Sequence, residues 1–386
     1  MALEFIPGNR LTLLKNGEQY FPALVEAFDS ARREIFFETY IFADDETGSL
    51  VCDALARAAA RGLAVHVIVD GFGARDFAPR FRAMLEQSGA GLRIFRPKIN
   101  PLTLRRNRLR RMHRKLAVID GEWAFITGIN IIDDYPPGAR MPPRFDYAVR
   151  IEGPLVQDVW FAAAKLWARL DWLQTRRRWR ITGVPHAAII APRGTQRAAL
   201  VVRDNIRHRR DIEEALLELI AGANNEVLIG IAYFLPGRHF RRALIDAARR
   251  GVRVVLLVQG LSDHPVMQYA SRALFDAFLE AGIEIHEYFR SELHAKVAVF
   301  DSVIASVGSS NIDPFSLVLA REANVFVNDA PFALALKASL LEALESSRKL
   351  PPHAWKRLSW TVRVRIWMAY GLARMMTTLS RIEGWH

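Results

Sequence analysis

The sequence predicts an α/β fold that is built twice within one chain of 386 residues. A helical pattern that ends at a glycine and continues into an apolar run of strand length covers residues 58–65, and it recurs at 247–254. A β-rich run after an amphipathic segment covers 34–40 and recurs at 226–233. Helices that alternate with buried strands are typical of an α/β layer fold. Because the pattern occurs twice, we expect two similar domains.

Glycines mark the expected ends of the helices in both copies. A C′ glycine tolerates the left-handed backbone conformation that closes a helix. A second helix then leads through another glycine into a short strand, at residues 92–95 or 283–286. The predicted glycines are Gly62 and Gly91 in the first copy and Gly251 and Gly282 in the second.

The chain divides into two halves and a tail. Turn-forming residues at 182–185 and 191–194 place the boundary between domains 1–190 and 191–345. Residues 346–386 form a tail in which tryptophans alternate with arginines. Such a tail suits an amphipathic helix on anionic lipid, and the alternative is a helix packed on the protein's own surface.

The charge balance favours an anionic partner. Lys and Arg number 53 against 41 Asp and Glu, which gives a net charge of +12. This field attracts either nucleic acid or an anionic membrane face. The single cysteine, Cys52, excludes an internal disulfide and fits a reducing, cytosol-facing location. The longest apolar run, 227–236, is about half of what a membrane-spanning helix needs, and we expect no signal peptide.

One four-residue motif occurs in both halves with identical spacing. From the histidine, a lysine follows after two residues, an aspartate after seven and an asparagine after seventeen. Two such matches in register, each on a β-branched apolar run, are a strong signal. The two sets are His113, Lys115, Asp120 and Asn130, and His294, Lys296, Asp301 and Asn311.

The spacing predicts a pair of hairpins around one pocket. Residues i and i+2 of a strand point to the same face, so each histidine projects with its lysine. A turn at Asp120 or Asp301 then returns the chain so that the asparagine lies beside its histidine. The two aspartates belong to the motif, but their turn position favours a capping role over that of a catalytic base.

The residue types suit phosphodiester chemistry. A neutral imidazole can attack phosphorus and form a covalent intermediate, while a second, protonated imidazole supplies a proton to the leaving alcohol. Lysine and asparagine side chains can hold the non-bridging oxygens. No metal and no cofactor is required for this scheme.

The pattern resembles the HxKxxxxD signature of the phospholipase D superfamily, present twice. Flanking segments at 40–44, 69–73, 128–135, 232–236 and 321–324 resemble bacterial cardiolipin synthases of the shorter, B type. The resemblance implies two phospholipase D-like α/β sandwich domains related by pseudo-two-fold symmetry. It also implies a phosphatidyl transferase that joins two phosphatidylglycerol molecules through a phosphatidyl-histidine and releases glycerol. Alternatives are a phospholipase D-type hydrolase, another phosphatidyl transferase, a nuclease of the superfamily or a non-catalytic membrane scaffold.

The same resemblance implies roles for further residues. Glu322 would orient His113 and Asp146 would orient His294, the alternative being surface ion pairs with the neighbouring arginines. Ser309, Asn130 and Asn311 would contact the substrate phosphate. A hydroxyl contact is expected from the second half alone, because the first copy has a glycine and no serine near its asparagine. His113 is expected to be the nucleophile and His294 the acid and base. The expected partners are phosphatidylglycerol and the cytoplasmic face of the bacterial inner membrane, bound peripherally, with no nucleic acid.

Three other features have open or structural interpretations. The first half carries an extra basic loop, 98–111, which is either a solvated loop or an anion-gathering lip beside the site. The Ser-Asp-His-Pro segment at 262–265 contains His264, a candidate for the pocket lining. Four tryptophans are expected to pack in the core rather than bind a ligand: Trp160, Trp167, Trp172 and Trp179.

Overall fold

The computed structural model describes residues 3–75, 77–97, 110–135, 142–175, 191–204, 208–261, 265–353 and 358–379. The first half contains β1 (Ile6–Lys15), α1 (Asn16–Ser30), β2 (Glu34–Thr39), α2 (Glu46–Ala60), β3 (Ala64–Asp70), α3 (Pro79–Gln87), β4 (Gly91–Phe95), β5 (Lys115–Ile119), β6 (Trp123–Thr127), β7 (Tyr147–Glu152) and α4 (Val156–Thr175). The second half contains β8 (Gln196–Arg203), α5 (Asp211–Gly222), β9 (Glu226–Ile231), α6 (Arg238–Arg249), β10 (Arg253–Gln259), α7 (Pro265–Arg272), α8 (Phe275–Glu280), β11 (Glu284–Tyr288), β12 (Lys296–Phe300), β13 (Ile304–Gly308), α9 (Pro314–Val318), β14 (Glu322–Asn328), α10 (Ala330–Glu345) and β15 (Ser347–Lys349). The tail helix is α11 (Trp360–Leu379).

All fifteen of these strands belong to one sheet, in the order β15-β11-β10-β9-β12-β13-β14-β8-β1-β7-β6-β5-β2-β3-β4. Strands β1 and β8 pair antiparallel at the centre, with Ile6 opposite Ala198 and Asn9 opposite Gln196. Outward from this pair, each strand of one half has its equivalent in the other, and β15 is added at one edge. The prediction of a duplicated α/β fold is confirmed, and the halves join edge to edge through β1 and β8.

The core has three parts. Helices α1 to α3 cover one face of the first half-sheet, and α5 to α8 cover the corresponding face of the second. A third cluster contains side chains of both halves together with α4 and α10, so the two halves share a core. Trp160 and Trp167 of α4 lie in this shared cluster at 2% and 3% exposure, whereas Trp172 is 45% exposed. The core prediction is therefore wrong for Trp172, and Trp179 lies outside the described residues.

Glycines close the helices mostly as expected. Gly62 follows α2 with φ +87°, and Gly251 follows α6 with φ +93°. Gly282 also takes a positive φ before β11, but its counterpart in the first half is Gly89 (φ +89°) and not Gly91. Gly91 opens β4 instead, where a Cβ would lie 2.8 Å from the indole of Trp167.

The end of the second half differs from the prediction. Strand β15 pairs antiparallel with β11, so the second half extends past residue 345 to at least Lys349. The expected inter-domain turn at 182–185 lies outside the described residues. Helix α11 packs along α7 and contributes Ala373 to the core of the second half, and its Ile366 is fully buried. Within the described ranges no helix is long and apolar enough to cross a membrane.

Candidate active site

The two motifs form equivalent hairpins. Strands β5 and β6 pair antiparallel, as do β12 and β13, and each motif histidine lies two residues before the first strand of its hairpin. Lys115 and Lys296 are the first residues of β5 and β12. The tight turns place Asp120 and Asp301 in the left-handed region, with φ of +55° and +50°.

Backbone bonds cross between the halves at each histidine. The His113 N–H donates to the carbonyl of Arg321 at 2.9 Å, and the His294 N–H donates to that of Phe145 at 2.9 Å. Arg321 precedes Glu322, and Phe145 precedes Asp146. Each motif is thus fixed beside the segment that carries a carboxylate of the opposite half.

The two carboxylates contact the histidines as the sequence analysis paired them. Nδ1 of His113 lies 3.0 and 3.2 Å from the two carboxylate oxygens of Glu322. Nδ1 of His294 lies 2.7 Å from Oδ2 of Asp146. A neutral imidazole that donates its Nδ1–H to a carboxylate carries its lone pair on Nε2. Each ring is therefore oriented to use Nε2 for chemistry.

Both lysines are buried and lie close to their histidines. Nζ of Lys115 donates to the carbonyl of His113 at 2.8 Å. Nζ of Lys296 donates to the carbonyl of His294 and also lies 2.9 Å from Nδ1 of that ring. Because Nδ1 has one site for a hydrogen and Asp146 is closer, we assign the ring hydrogen to the bond with Asp146. Lys296 then acts on His294 mainly through its charge.

Burial dominates the electrostatics of the site. It lowers the pKa of His113, against the effect of Glu322, and it lowers the pKa of His294 further, because Lys296 and Lys115 also repel a proton there. Burial lowers the pKa of Lys115 to about 7 and raises the pKa of Asp146 to about 6. A site of buried cations and neutral imidazoles favours the arrival of an anion, whose charge would offset that of the lysines.

The two asparagines differ in their bonding. Oδ1 of Asn311 accepts from the Tyr233 N–H at 3.3 Å. Oδ1 of Asn130 is buried and has no hydrogen-bond partner within the described part of the chain. A buried polar atom without a partner is costly, so a bound ligand hydroxyl would stabilise this position.

Ser309 contacts a carboxylate in this structure. Its buried hydroxyl donates to Oε2 of Glu322 at 2.6 Å. Because that bond uses the one hydrogen of the hydroxyl, the contact of Ser309 with the substrate phosphate stays a prediction. Gly128 is the equivalent residue of the first half, and a Cβ there would lie 2.6 Å from Oδ1 of Asp146. The longer Glu322 is therefore supported by a serine, while the shorter Asp146 fills the space above a glycine.

The motif aspartates fix the hairpins to the neighbouring strands. The carboxylate of Asp120 accepts from the N–H groups of residues 32, 33 and 34, at the start of β2, at 2.8 to 2.9 Å. The carboxylate of Asp301 accepts from those of 224, 225 and 226, at the start of β9, at the same distances. These contacts are structural and have the capping form that the turn position of the two motif aspartates predicts.

Several supporting residues were not identified from the sequence. The ring of Tyr40 meets that of His113 edge to face, with centroids 4.7 Å apart. The residue before each motif histidine donates its N–H to the polar side chain that ends β3 or β10: Asp70 at 2.8 Å and Gln259 at 2.7 Å. A polar residue at the end of the same buried strand in both copies was the available signal.

Arg114 forms a buried ion pair in the first half, and the equivalent positions of the second half hold no such pair. It makes a bidentate ion pair with Glu38 of β2 at 2.6 and 2.7 Å. From the strand register, the equivalents of these two residues in the second half are Ala295 and Gly230. The surroundings of the two histidines thus differ, because a buried ion pair lies beside the first motif and uncharged residues occupy the equivalent positions of the second.

Residues 98–109 of the basic loop, together with His264, lie outside the described residues, so the anion-gathering lip and the pocket role of His264 stay predictions. At the end of the loop, the guanidinium of Arg111 lies 5.2 Å from the ring centroid of Phe72.

A duplicated α/β fold with two reciprocal histidine–carboxylate pairs defines the class as the phospholipase D superfamily. The family model described as "Cardiolipin synthase, PLD-like domain" matches residues 24–135 and 216–343. The chain belongs to this family.

Relatives of the chain agree with that assignment. The chain is 39% identical to cardiolipin synthase B of Salmonella typhimurium, covering 92% of this chain and 86% of the relative. It is also 39% identical to cardiolipin synthase B of Escherichia coli K12, covering 94% and 88%. Among solved structures, phosphatidylserine synthase of Haemophilus influenzae aligns with a TM-score of 0.74 at 12% identity, over 100% of this chain and 97% of that one. That last similarity shows the fold.

Proposed function

We propose that this chain is a cardiolipin synthase that transfers a phosphatidyl group from one phosphatidylglycerol to a second and releases glycerol. The observation that carries the proposal is the pair of imidazoles, each hydrogen-bonded through Nδ1 to a carboxylate of the opposite half. Family membership and two relatives named cardiolipin synthase B support this choice of substrate.

In the first step, Nε2 of His113 attacks the phosphorus of the donor lipid. The N–P bond forms as the bond from phosphorus to the glycerol oxygen breaks, and His294 gives that oxygen a proton from its own Nε2. His113 suits the nucleophilic role because Glu322 and Tyr40 hold its ring on two sides, and a fixed orientation lowers the entropic part of the barrier.

In the second step, a hydroxyl of another phosphatidylglycerol gives its proton to His294 and attacks the same phosphorus. The O–P bond forms, the N–P bond breaks, and His113 is restored. Two phosphatidylglycerols therefore become one cardiolipin and one glycerol. Asp146, at 2.7 Å from Nδ1, stabilises the charged form of His294 at the points where that ring holds two protons.

Lys115 and Lys296 bind the non-bridging oxygens in this scheme. Their charges depress the pKa of His294 in the free protein. A phosphate anion bound between them offsets that effect, so His294 gains its proton when the substrate is present. Asn130 and Asn311 complete the phosphate and glycerol contacts.

We further propose that the protein acts peripherally at the cytoplasmic face of the bacterial inner membrane, without binding nucleic acid. Helix α11 supports this proposal because its outward face is apolar. Trp360, Trp367, Met368 and Met375 are 75%, 55%, 68% and 53% exposed. Arginines on the same helix suit anionic headgroups, as in an interfacial helix.

Product analysis tests the function. Purified protein and phosphatidylglycerol in detergent micelles should give cardiolipin and glycerol in equal amounts. His113→Ala should abolish both products, and His239→Ala, at an exposed histidine of α6, should leave them unchanged. Phosphatidic acid as the sole lipid product would contradict the transferase proposal.

A further inference from the structure

Two grooves lie at equivalent places in the two halves of the fold. The first runs between the end of β4, helix α4 and the segment before Glu322, and its lining includes Phe95, Leu170 and Arg321. The second runs between the end of β11, helix α10 and the segment before Asp146. Its lining includes Tyr288 and Phe145. Phe95 and Tyr288 each end a strand, and Arg321 and Phe145 each precede a histidine-bound carboxylate.

The two grooves differ in charge although their positions match. The second contains cations and acids together, and Lys15 forms an ion pair with Glu342 across it at 3.0 Å. The first has no acidic residue in its lining and contains four arginines: Arg96, Arg110, Arg169 and Arg321. We call it the arginine groove.

Carboxylates also act on the groove: Glu38 and Asp204 act on Arg321, and Asp70 acts on Arg96. Several carboxylates in this region have cationic partners of their own. Glu38 pairs with Arg114, Glu322 with His113, and Asp171 with Arg93 at 2.5 Å. Within the described part of the chain, Arg169 makes no ion pair or hydrogen bond. Buried Nε of Arg321 likewise has no hydrogen-bond partner there.

This clustering has an electrostatic cost. Burial, followed by repulsion from Arg114, lowers the pKa of the Arg321 guanidinium to about 10. Burial and the neighbouring arginines also lower the pKa of Arg96. Arginines that repel one another are stabilised when an anion binds between them.

One wall of the arginine groove is apolar. Leu166, Leu170 and Leu173 of α4 line it at a spacing of four and three residues, which places them on one face of the helix. Leu173 is 49% exposed. An anion-binding site beside an apolar strip matches the headgroup and acyl chain of an anionic phospholipid.

The proposed reaction needs a second anion site of this kind. The acceptor phosphatidylglycerol keeps its own phosphate while its glycerol hydroxyl attacks the phosphatidyl-histidine. That phosphate lies one glycerol unit from the phosphorus under attack, where the lysines of the motif already hold the donor. Arg321 adjoins Glu322 in sequence, and its carbonyl accepts from the His113 N–H at 2.9 Å. One backbone hydrogen bond therefore joins a residue of the arginine groove to the residue that carries the nucleophile.

We infer that the arginine groove binds the acceptor lipid, with its phosphate on Arg169 and Arg321 and an acyl chain along the exposed Leu173. The inference rests on the proposed transferase function. The two grooves have equivalent positions because of the duplication but differ in charge. The inference uses that difference to place the acceptor lipid in the arginine groove.

A competition between acceptors tests the inference. Phosphatidylglycerol in detergent micelles is incubated with 1-butanol, a neutral acceptor, and cardiolipin and phosphatidylbutanol are measured in the same reaction. Both products come from one phosphatidyl-histidine, so their ratio reports the acceptor alone. Arg169→Glu should lower the ratio of cardiolipin to phosphatidylbutanol by about tenfold or more, the effect of losing one charge-assisted bond to phosphate. Arg169→Lys should largely restore the ratio.

The matched control is Arg249→Glu on α6, where the side chain is 73% exposed. It makes the same change of charge and should leave the ratio unchanged. An unchanged ratio in Arg169→Glu overturns the inference, whether or not the total product falls, because a loss shared by both acceptors belongs to the donor step. Formation of phosphatidic acid and phosphatidylbutanol without cardiolipin by the wild type would instead overturn the proposed function.

Discussion

The motif aspartates should be needed for stability and not for turnover. Asp120→Ala removes a carboxylate that accepts three backbone N–H bonds at the start of β2, and Asp301→Ala removes its equivalent at β9. A hydrogen bond to a charged group contributes roughly 1.5–3 kcal/mol. Water can reach the turns in the variants and replace part of each bond.

We therefore expect the free energy of unfolding to fall by roughly 2–4 kcal/mol for Asp120→Ala, whose site is nearly buried, and by somewhat less for the more exposed Asp301→Ala. For Asp301, burial acts to raise the pKa, but the three backbone bonds outweigh it and the folded-state pKa lies below 3.8. The contribution of Asp301 is thus complete above that value and is lost as the pH falls below it.

Urea unfolding followed by tryptophan fluorescence measures the loss of stability, and product formation per folded molecule measures turnover. Asp120→Asn and Asp301→Asn, which keep one acceptor oxygen, should be intermediate in stability. Turnover should stay within about twofold of wild type, because neither carboxylate hydrogen-bonds to a motif histidine. A variant with normal stability and turnover reduced a hundredfold would refute the structural role.

Three further results are expected. Ser309→Ala removes the donor that holds Glu322, so kcat should fall by about tenfold with KM unchanged, and the acidic limb of the kcat/KM profile should move to higher pH; an unaltered profile would count against this. His66 has a pKa lowered from 6.5 to about 4 by burial. The unfolded chain therefore takes up a proton at a higher pH than the folded chain, and the free energy of unfolding should fall by up to ~3 kcal/mol as the pH drops from 6.5 to about 4. His66→Phe should remove this part of the slope in urea titrations. Trp367→Ser with Met368→Ser should reduce flotation with phosphatidylglycerol vesicles, unlike Leu334→Ser on α10, which is 52% exposed; equal flotation of all three proteins would exclude α11 as the docking face.

Duplication explains why so much of the site could be predicted from one sequence. Two motifs in register predict equivalent hairpins, and the resemblance to the phospholipase D superfamily implies that the carboxylate after one motif faces the histidine of the other. The contacts of Glu322 with His113 and of Asp146 with His294 have that form. The edge-to-edge pairing of β1 with β8 has no such signal, because strand pairing over that separation depends on tertiary packing.

Contacts of single side chains were less predictable. A serine beside the motif asparagine can donate to a phosphate or to a carboxylate, and the sequence does not distinguish these acceptors. In the structure Ser309 is buried beside Glu322 and donates to its carboxylate. Arg114 and Glu38 are separated by 76 residues, so neither residue indicates its partner. Gly89 and Gly91 are two residues apart at the start of β4. Gly89 takes the positive φ after the helix, whereas Gly91 leaves room for Trp167, and the sequence does not show which glycine has which role.

The central claim is a covalent phosphatidyl group on His113, and trapping it is the most direct test. A phosphatidic acid ester of p-nitrophenol needs no proton for its leaving group, so His294→Ala should still complete the first step and stall before the second. The account predicts release of about one equivalent of p-nitrophenol, with the phosphatidyl mass found on the peptide that contains His113. His113→Ala should release none. An adduct on another residue, or steady turnover by His113→Ala, would contradict the account.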